Sequence, residues 1–200
     1  VNRGEENLAL LYTDSNGDSD YYAPDGKSMR KAFLRSPVDF RRISSSFNPE
    51  RYHPVLGKKR PHRGTDYAAA TGTPIKAAGD GKIIWRGTKG GYGKTIILQH
   101  GGNITTLYAH MNGYKSGLSA GSRVKQGQVI GYVGKTGMVT GPHLHYEFRV
   151  NGVHKNPVTV ALPHAQPVPS KERAAFTKQS SQLLALLEGE TTIALADNDR

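Results

Sequence analysis

Apolar residues recur in short runs through the middle of the chain, and glycines separate these runs. Between residues 42 and 162 no stretch keeps the three-to-four-residue spacing of an amphipathic helix. The pattern therefore predicts a mainly β fold, in which short strands form a compact antiparallel sheet. The predicted strands are 74–78, 82–86, 95–100, 105–110, 129–133 and 143–150.

The first forty residues have a different pattern, which is dense in turn-forming side chains. Apolar residues at 8–12 and a tyrosine pair at 21–22 flank the polar, glycine-containing segment 14–18. This arrangement predicts a β-hairpin. Residues 28–34 predict a short helix that ends before Pro37, because proline disfavours helical geometry in the residue that precedes it.

Apolar positions also recur at helical spacing over a longer stretch near the end of the sequence. Residues 170–188 predict an amphipathic helix with Gly189 just beyond its end, followed by a loose tail at 190–200. The predicted organisation is an N-terminal extension of hairpin and short helix (1–43), a β domain (44–163), and a linker with helix and tail (164–200).

Composition limits the class of protein. The 200 residues include 36% hydrophobic side chains, enough for one domain of ordinary catalytic size with a small appendage. The sequence has no cysteine, which excludes disulfides and thiolate metal ligands. It also has no apolar run near the ~20 residues that span a bilayer. Because the chain begins at Val1 rather than methionine, a signal peptide or anchor could have been removed, and export stays open.

The chain is basic, with 27 Lys and Arg against 16 Asp and Glu and a formal net charge of +11. This charge suits a polyanionic partner, although a solvated basic surface without a specific partner explains it equally well. The sequence contains no helix-turn-helix, zinc-finger or RNA-binding signature, so nucleic acid is not the expected partner. Peptidoglycan, whose stem peptides carry free carboxylates, suits the charge as well as nucleic acid does.

Residues 143–150 form the segment with the clearest chemical potential. Polar and apolar residues alternate strictly along it, so a strand places two imidazoles on one face together with Glu147 and Arg149. The two imidazoles belong to His143 and His145. A single His-x-His pair on a strand is more often a pair of exposed side chains than a metal site. A metal site therefore requires further candidate ligands in the sequence.

A further candidate ligand is His62, which is followed four residues later by Asp66. Pro61 and Gly64 disfavour a helix here, but an extended segment also places such a pair on one face. A third element is His110, which closes an apolar strand. Two imidazoles and one carboxylate, with one position left for water, form the ligand set of a catalytic zinc site. Further imidazoles can take the proton of that water and stabilise an oxyanion.

Six segments stand in a characteristic order along the chain. They are HRGTDYA from His62, GTPIKAAGDG from Gly72, GYG from Gly91, LYAH from Leu107, GQVIG from Gly127 and TGPHLHYE from Thr140. In this order and spacing they resemble the signatures of M23 zinc peptidases of the lysostaphin/LytM type, over about residues 44–162. The resemblance implies an antiparallel β-sheet peptidase domain with an open groove and one zinc ion per chain. The implied metal ligands are His62, Asp66 and His145, and the implied catalytic histidines are His110 and His143.

Segments 33–40 and 43–48 resemble the Gram-negative envelope branch of this family. That branch consists of D,D-endopeptidases, which cut between D-alanine and meso-diaminopimelate in peptidoglycan cross-links. The resemblance therefore implies a periplasmic or envelope enzyme that acts on stem peptides. Members of this branch usually carry an N-terminal anchor, which is not visible in this sequence, and we expect a monomer. The resemblance leaves open which catalytic histidine is the base and which cross-link is cut.

Two alternative functions belong to other classes. A catalytically silent cell-wall-binding scaffold or amidase activator is expected where the ligand set is degraded, but here all five positions are filled. The second alternative, a nucleic-acid-binding protein, is supported by the net charge alone.

The remaining site assignments are less specific. Surface positions are expected for His53, His100, His154 and His164, core or groove-wall positions for Tyr67, Tyr108 and Tyr146, a supporting or solvent-facing role for Glu147, and groove positions for Asn48 and Tyr92.

Overall fold

The computed structural model of the chain describes residues 8–29, 31–53, 58–59, 61–101 and 103–198. Two compact units are present. One is Phe33–Leu162, and the other combines Val1–Ala32 with Pro163–Arg200. The predicted limits of the functional domain stay a prediction, since a compact unit and a functional domain need not share their ends.

Strands make up most of the described chain. They are β1 (Leu10–Thr13), β2 (Ser19–Tyr22), β3 (Arg42–Ser45), β4 (Tyr52–His53), β5 (Lys58–Lys59), β6 (Thr65–Ala68), β7 (Pro74–Lys76), β8 (Gly81–Thr88), β9 (Lys94–Gln99), β10 (Ile104–Tyr114), β11 (Arg123–Val124), β12 (Val129–Val133), β13 (His143–Val150) and β14 (Val153–Lys155). Two 3₁₀ turns (Gly90–Tyr92 and Ser170–Glu172) and one helix, α1 (Arg173–Asn198), complete the described elements.

Phe33–Leu162 is built on a ten-stranded sheet. Its main path runs β11-β8-β9-β10-β13-β6-β3, while β12 joins β10 to β7 and β14 pairs with β13. Every pairing in this sheet is antiparallel. The predicted antiparallel β fold is confirmed, and all six predicted strands are present. Two of them, Val129–Val133 and His143–Val150, have the predicted bounds.

The core of this unit follows the alternation seen in the sequence. Along β13 the apolar side chains of Leu144, Tyr146 and Phe148 are at most 1% exposed. Each contributes about 1.5–3 kcal/mol through burial, so together they fix which face of β13 turns inward. Phe33 packs edge-on against Phe148 with 5.1 Å between ring centroids, which brings residues 33–43 onto this unit. The predicted core positions of Tyr67 and Tyr108 are confirmed, with exposures of 1% and 0%.

The expectations for residues 28–34 and for His100 are wrong. Residues 28–34 form no helix in their described part, because Ser28 and Lys31 are held in isolated β-bridges to Tyr22 and His164 instead. His100 is 5% exposed rather than on the surface. Its Nδ1 lies 2.6 Å from the carbonyl of Asp80 and its Nε2 lies 2.8 Å from Thr106 Oγ1, so both ring nitrogens have partners that make burial tolerable.

The second unit contains the predicted hairpin, which is confirmed as β1 and β2. A buried cluster of Leu10, Tyr12, Val168 and Phe176 joins this hairpin to α1. The helix continues past Gly189 to Asn198, so the predicted helix end and loose tail are wrong. One glycine inside a helix costs only about 1 kcal/mol, which the rest of the helix can tolerate. Among the described residues no helix is both long and apolar enough to cross a membrane.

Candidate metal centre

The pairing of β13 with β6 brings two of the predicted ligands together. His145 lies directly opposite Asp66 in this antiparallel register, so both side chains project from the same face of the sheet. His62 reaches them from the segment before β6. Its backbone N–H donates to the carbonyl of Asn48 at 2.8 Å, and its carbonyl accepts from the Asn48 N–H at 3.0 Å. The fold therefore fixes all three backbones.

The ligand atoms of these residues form a small triangle. Nδ1 of His145 is 2.7 Å from Oδ1 of Asp66, and Nε2 of His62 is 3.1 Å from the same oxygen. The two nitrogens are 3.2 Å apart. Ligands at 2.0–2.1 Å from a tetrahedral zinc ion are separated by about 3.3 Å. The triangle is thus close to one face of a tetrahedron around a metal ion.

Each imidazole of the triangle has one ring nitrogen that points away from Asp66. The hydrogen bond of this outer nitrogen decides which nitrogen keeps a lone pair for a metal ion. A carbonyl can only accept, so Nδ1 of His62 carries a proton toward the carbonyl of Ser46 at 2.7 Å. Nε2 of His145 likewise faces a carboxylate oxygen of Glu147 at 3.1 Å. The lone pairs of His62 Nε2 and His145 Nδ1 then converge on the carboxylate of Asp66. Three acceptors facing one another need a cation between them, and the site therefore fits a metal ion.

The pKa values of His145 and Asp66 also show that this triangle favours a bound positive charge. Burial lowers the pKa of His145, but hydrogen bonds to Asp66 and Glu147 outweigh it and raise this pKa to about 9. Burial would raise the pKa of Asp66, but hydrogen bonds from His145 and His62 hold it well below its usual range. A proton shared within the triangle thus occupies the position for which a metal ion would compete.

The two predicted catalytic histidines lie beside this triangle. The rings of His110 and His143 have centroids 4.8 Å apart, and His110 is 5.9 Å from the ring of His145. Nε2 of His143 lies 3.8 Å from Oδ1 of Asp66. The structure therefore brings all five predicted site residues into one cluster.

Both of these histidines also have their outer nitrogen fixed by a carbonyl. Nδ1 of His110 donates to Thr136 and Nδ1 of His143 donates to Gly141, each at 2.9 Å. Each Nε2 therefore keeps its lone pair. Burial lowers the pKa of His110 to about 4, so this imidazole is neutral at pH 7 and able to accept a proton.

A distortion in β10 aims the His110 side chain. The pairing of β10 with β9 loses register between Tyr108 and Met111, and His110 lies in this irregularity with a φ of 59°. That conformation is costly for a side chain with a Cβ, and such local strain is typical of functional sites. The side chain of Thr136 forms hydrogen bonds with both strands, β10 and β9, beside this irregularity. Its hydroxyl donates to the carbonyl of Met111 at 2.8 Å and accepts the backbone N–H of Lys94 at 3.0 Å.

Several features of the site carried no signal in the sequence. The carbonyls of Ser46, Thr136 and Gly141 select the tautomers of three histidines, and every residue type has a carbonyl. The predicted supporting role of Glu147 has a geometric counterpart, since this carboxylate contacts the outer nitrogen of His145. Tyr92, expected in the groove, donates its hydroxyl to Glu147 at 2.7 Å.

Comparison with known proteins places this geometry in context. The profile of Peptidase family M23 matches residues 60–157. Over 197 residues the chain is 47% identical to the peptidoglycan DD-endopeptidase ShyC of Vibrio cholerae serotype O1. That match covers 98% of this chain but 44% of ShyC, so the chain spans less than half of this relative.

Solved structures give a similar result. A zinc-containing peptidase from Vibrio cholerae superposes with a TM-score of 0.64 at 37% identity, over 78% of this chain and 47% of that one. A mutant form of the catalytic domain of the prophage-encoded M23 protein EnpA from Enterococcus faecalis superposes with a TM-score of 0.52 at 35% identity. This second match covers 63% of this chain and 97% of the EnpA domain.

Proposed function

The chain belongs to peptidase family M23, and on this premise we propose that it is a zinc-dependent endopeptidase that hydrolyses D-alanine–meso-diaminopimelate cross-links in peptidoglycan. Family membership confirms the resemblance seen in the sequence and makes the protein a metallopeptidase. The observation that carries the proposal is the convergence of ligand atoms from His62, Asp66 and His145. The peptidoglycan substrate is supported by ShyC, a relative named as a peptidoglycan DD-endopeptidase. The D-alanine–meso-diaminopimelate bond is the one that the sequence resemblance implies.

The donor set of the triangle suits zinc. Imidazole nitrogen and carboxylate oxygen are common zinc donors, and three protein ligands leave the open position that catalytic sites require. The residues that would hold one ion are His62 through Nε2, His145 through Nδ1 and Asp66 through Oδ1. A zinc ion bound there supplies Lewis acidity, which activates water and polarises the carbonyl of the scissile bond.

The neighbouring histidines provide the proton chemistry of the proposed reaction. Nε2 of His110 and Nε2 of His143 each keep a lone pair on the side facing the centre. A lone pair of this kind accepts the proton of the attacking water. The N–H formed in this way then donates to the developing oxyanion or to the leaving amine. We assign these two roles to the pair of histidines jointly.

Charge around the centre supports an anionic peptide substrate. Arg63 follows the ligand His62 directly and is exposed, and no ion pair of Arg63 is found among the described residues. The chain as a whole carries a net charge of +11. Stem peptides carry free carboxylates that such a surface attracts. We place the protein in the periplasm or cell envelope, because peptidoglycan lies there. We also propose that it acts as a monomer.

Alanine variants of the ligands test this proposal. Asp66→Ala and His145→Ala should each lower the rate of cleavage of a purified cross-linked muropeptide dimer by at least about 10³-fold. Loss of a Lewis acid removes several kcal/mol of transition-state stabilisation. The matched control is His164→Ala, an exposed histidine of the second unit, which should retain full activity. Full peptidase activity in a folded ligand variant would contradict the proposal. If the unmodified chain binds sacculi but does not cleave them, the result would favour a silent scaffold.

A further inference from the structure

Glu147 is a charged residue with no solvent contact. Its relative exposure is 0%, although it lies on the same face of β13 as His143 and His145. A buried carboxylate is costly unless donors surround it. Four side chains supply these donors: His145, Tyr92, Arg149 and His154.

The two carboxylate oxygens have separate tasks. Oε1 accepts from Nε2 of His145 at 3.1 Å and from the hydroxyl of Tyr92 at 2.7 Å. Oε2 accepts from the guanidinium of Arg149, with Nε at 2.9 Å, and lies 3.1 Å from Nε2 of His154. One oxygen thus faces the metal centre, and the other faces a compensating positive charge. Because Oε1 lies against the outer nitrogen of His145, the carboxylate cannot itself be a ligand in this arrangement.

We propose that Glu147 is a positioning residue that makes His145 a metal ligand through Nδ1. The inference rests on the proposed zinc function and deepens it. An acceptor at Nε2 holds the proton on that nitrogen, which leaves the Nδ1 lone pair for the metal. Without the acceptor, a buried N–H would be unsatisfied, and the tautomer with a proton on Nδ1 would compete with metal binding.

Arg149 balances the negative charge of the Glu147 carboxylate. An unpaired carboxylate beside the centre would add a second negative charge to that of Asp66. The ion pair with Arg149, whose side chain is 21% exposed, offsets this charge while the hydrogen bond to His145 is retained. Tyr92 fixes the position of Oε1 from the other side, and its ring packs on a buried cluster of Ile97, Leu107 and Ala109. Glu147 is therefore held rigidly enough to orient the imidazole.

Zinc affinity of the full chain, measured by competition with a chromophoric chelator, tests this inference. Glu147→Ala removes the acceptor and should raise the zinc dissociation constant about 100-fold, while Glu147→Gln, whose amide oxygen can still accept, should raise it about tenfold. The matched control is Glu172→Gln, which alters another buried carboxylate, one that accepts from Tyr12 at 2.8 Å in the second unit. This control should leave zinc affinity unchanged even where it lowers the melting temperature.

The outcomes separate the two hypotheses. A folded Glu147→Ala protein that binds zinc as tightly as the unmodified chain overturns the positioning role and leaves the proposed function intact. If Glu147→Ala does not fold, the Glu147→Gln variant decides, and an unchanged dissociation constant overturns the inference. An unmodified chain that binds no zinc contradicts the proposed function itself, and the positioning role with it.

Discussion

Gly64 directly precedes β6 and lies in close contact with β13, so replacing it with alanine should disable the centre. A Cβ added to Gly64 would lie 2.5 Å from the carbonyl oxygen of Tyr146 and 2.8 Å from the ring of His145. Ordinary van der Waals contact begins at 3.4 Å, so the backbone of residue 64 and that of Tyr146 must separate by about 0.9 Å. The nearest obstacle is backbone, which cannot rotate away as a side chain can.

This displacement sets the expected magnitude. Overpacking of a close contact costs about 1–3 kcal/mol of stability. A shift near 1 Å in a residue that positions catalytic groups costs about 10²-fold in rate. Gly64→Ala should therefore remain folded but lose about 10²-fold in kcat/KM, because His62 and Asp66 lie on either side of Gly64 and His145 lies against it.

The assay compares Gly64→Ala with a matched glycine in the same sheet. Gly113 lies in β10, and a Cβ there meets nothing within 4 Å, so Gly113→Ala should keep its activity. Urea denaturation measures the free energy of unfolding of each variant, and cleavage of a cross-linked muropeptide measures kcat/KM. A Gly64→Ala enzyme as active as Gly113→Ala would refute the argument that this close approach holds the ligands in place.

Two further predictions concern His110 and its support. Thr136→Val removes the hydroxyl that donates to the carbonyl of Met111 and accepts the N–H of Lys94. Two hydrogen bonds of about 0.5–1.5 kcal/mol each are lost, so kcat should fall at least about tenfold. Thr136→Ser should keep most of the activity, and equal rates for the two variants would contradict this role. The pKa of His110 is lowered to about 4, so the unfolded chain takes up this proton first as the pH falls. The contribution of His110 to stability is complete above its ordinary pKa of 6.5 and is lost as the pH falls through 4. Urea denaturation of the metal-free protein from pH 7 to pH 4 should give a flatter dependence for His110→Asn than for the unmodified chain, and identical slopes would contradict the assignment.

The strand that carries the site could be predicted because its pattern is local. Residues 143–150 alternate polar and apolar side chains over eight positions, and only a strand places the apolar ones on a single buried face. The same pattern placed His145 and Glu147 together on the opposite face. That Glu147 is completely buried could not be predicted, because its burial depends on Tyr92 and Arg149 as donors.

Short or non-local elements were harder to predict. β6 has four residues and β3 has four, too few for a periodic signal, and both depend on their neighbours in the sheet. His100 precedes a glycine pair and therefore had the pattern of a surface turn. Its two ring nitrogens instead contact Asp80 and Thr106, which lie beyond the local pattern, and these partners allow its burial. The left-handed conformation of His110 lies where β10 loses register with β9, and a pairing irregularity of this kind is not visible in the local sequence pattern.

Digestion of purified diaminopimelate-type sacculi, with and without a zinc chelator, tests the central claim most directly. Released muropeptides are identified by mass spectrometry. We predict chelator-sensitive conversion of cross-linked dimers to monomers, with activity restored by added zinc. Failure to release any muropeptide from sacculi by a protein that contains stoichiometric zinc, or release that is indifferent to the chelator, would contradict the account.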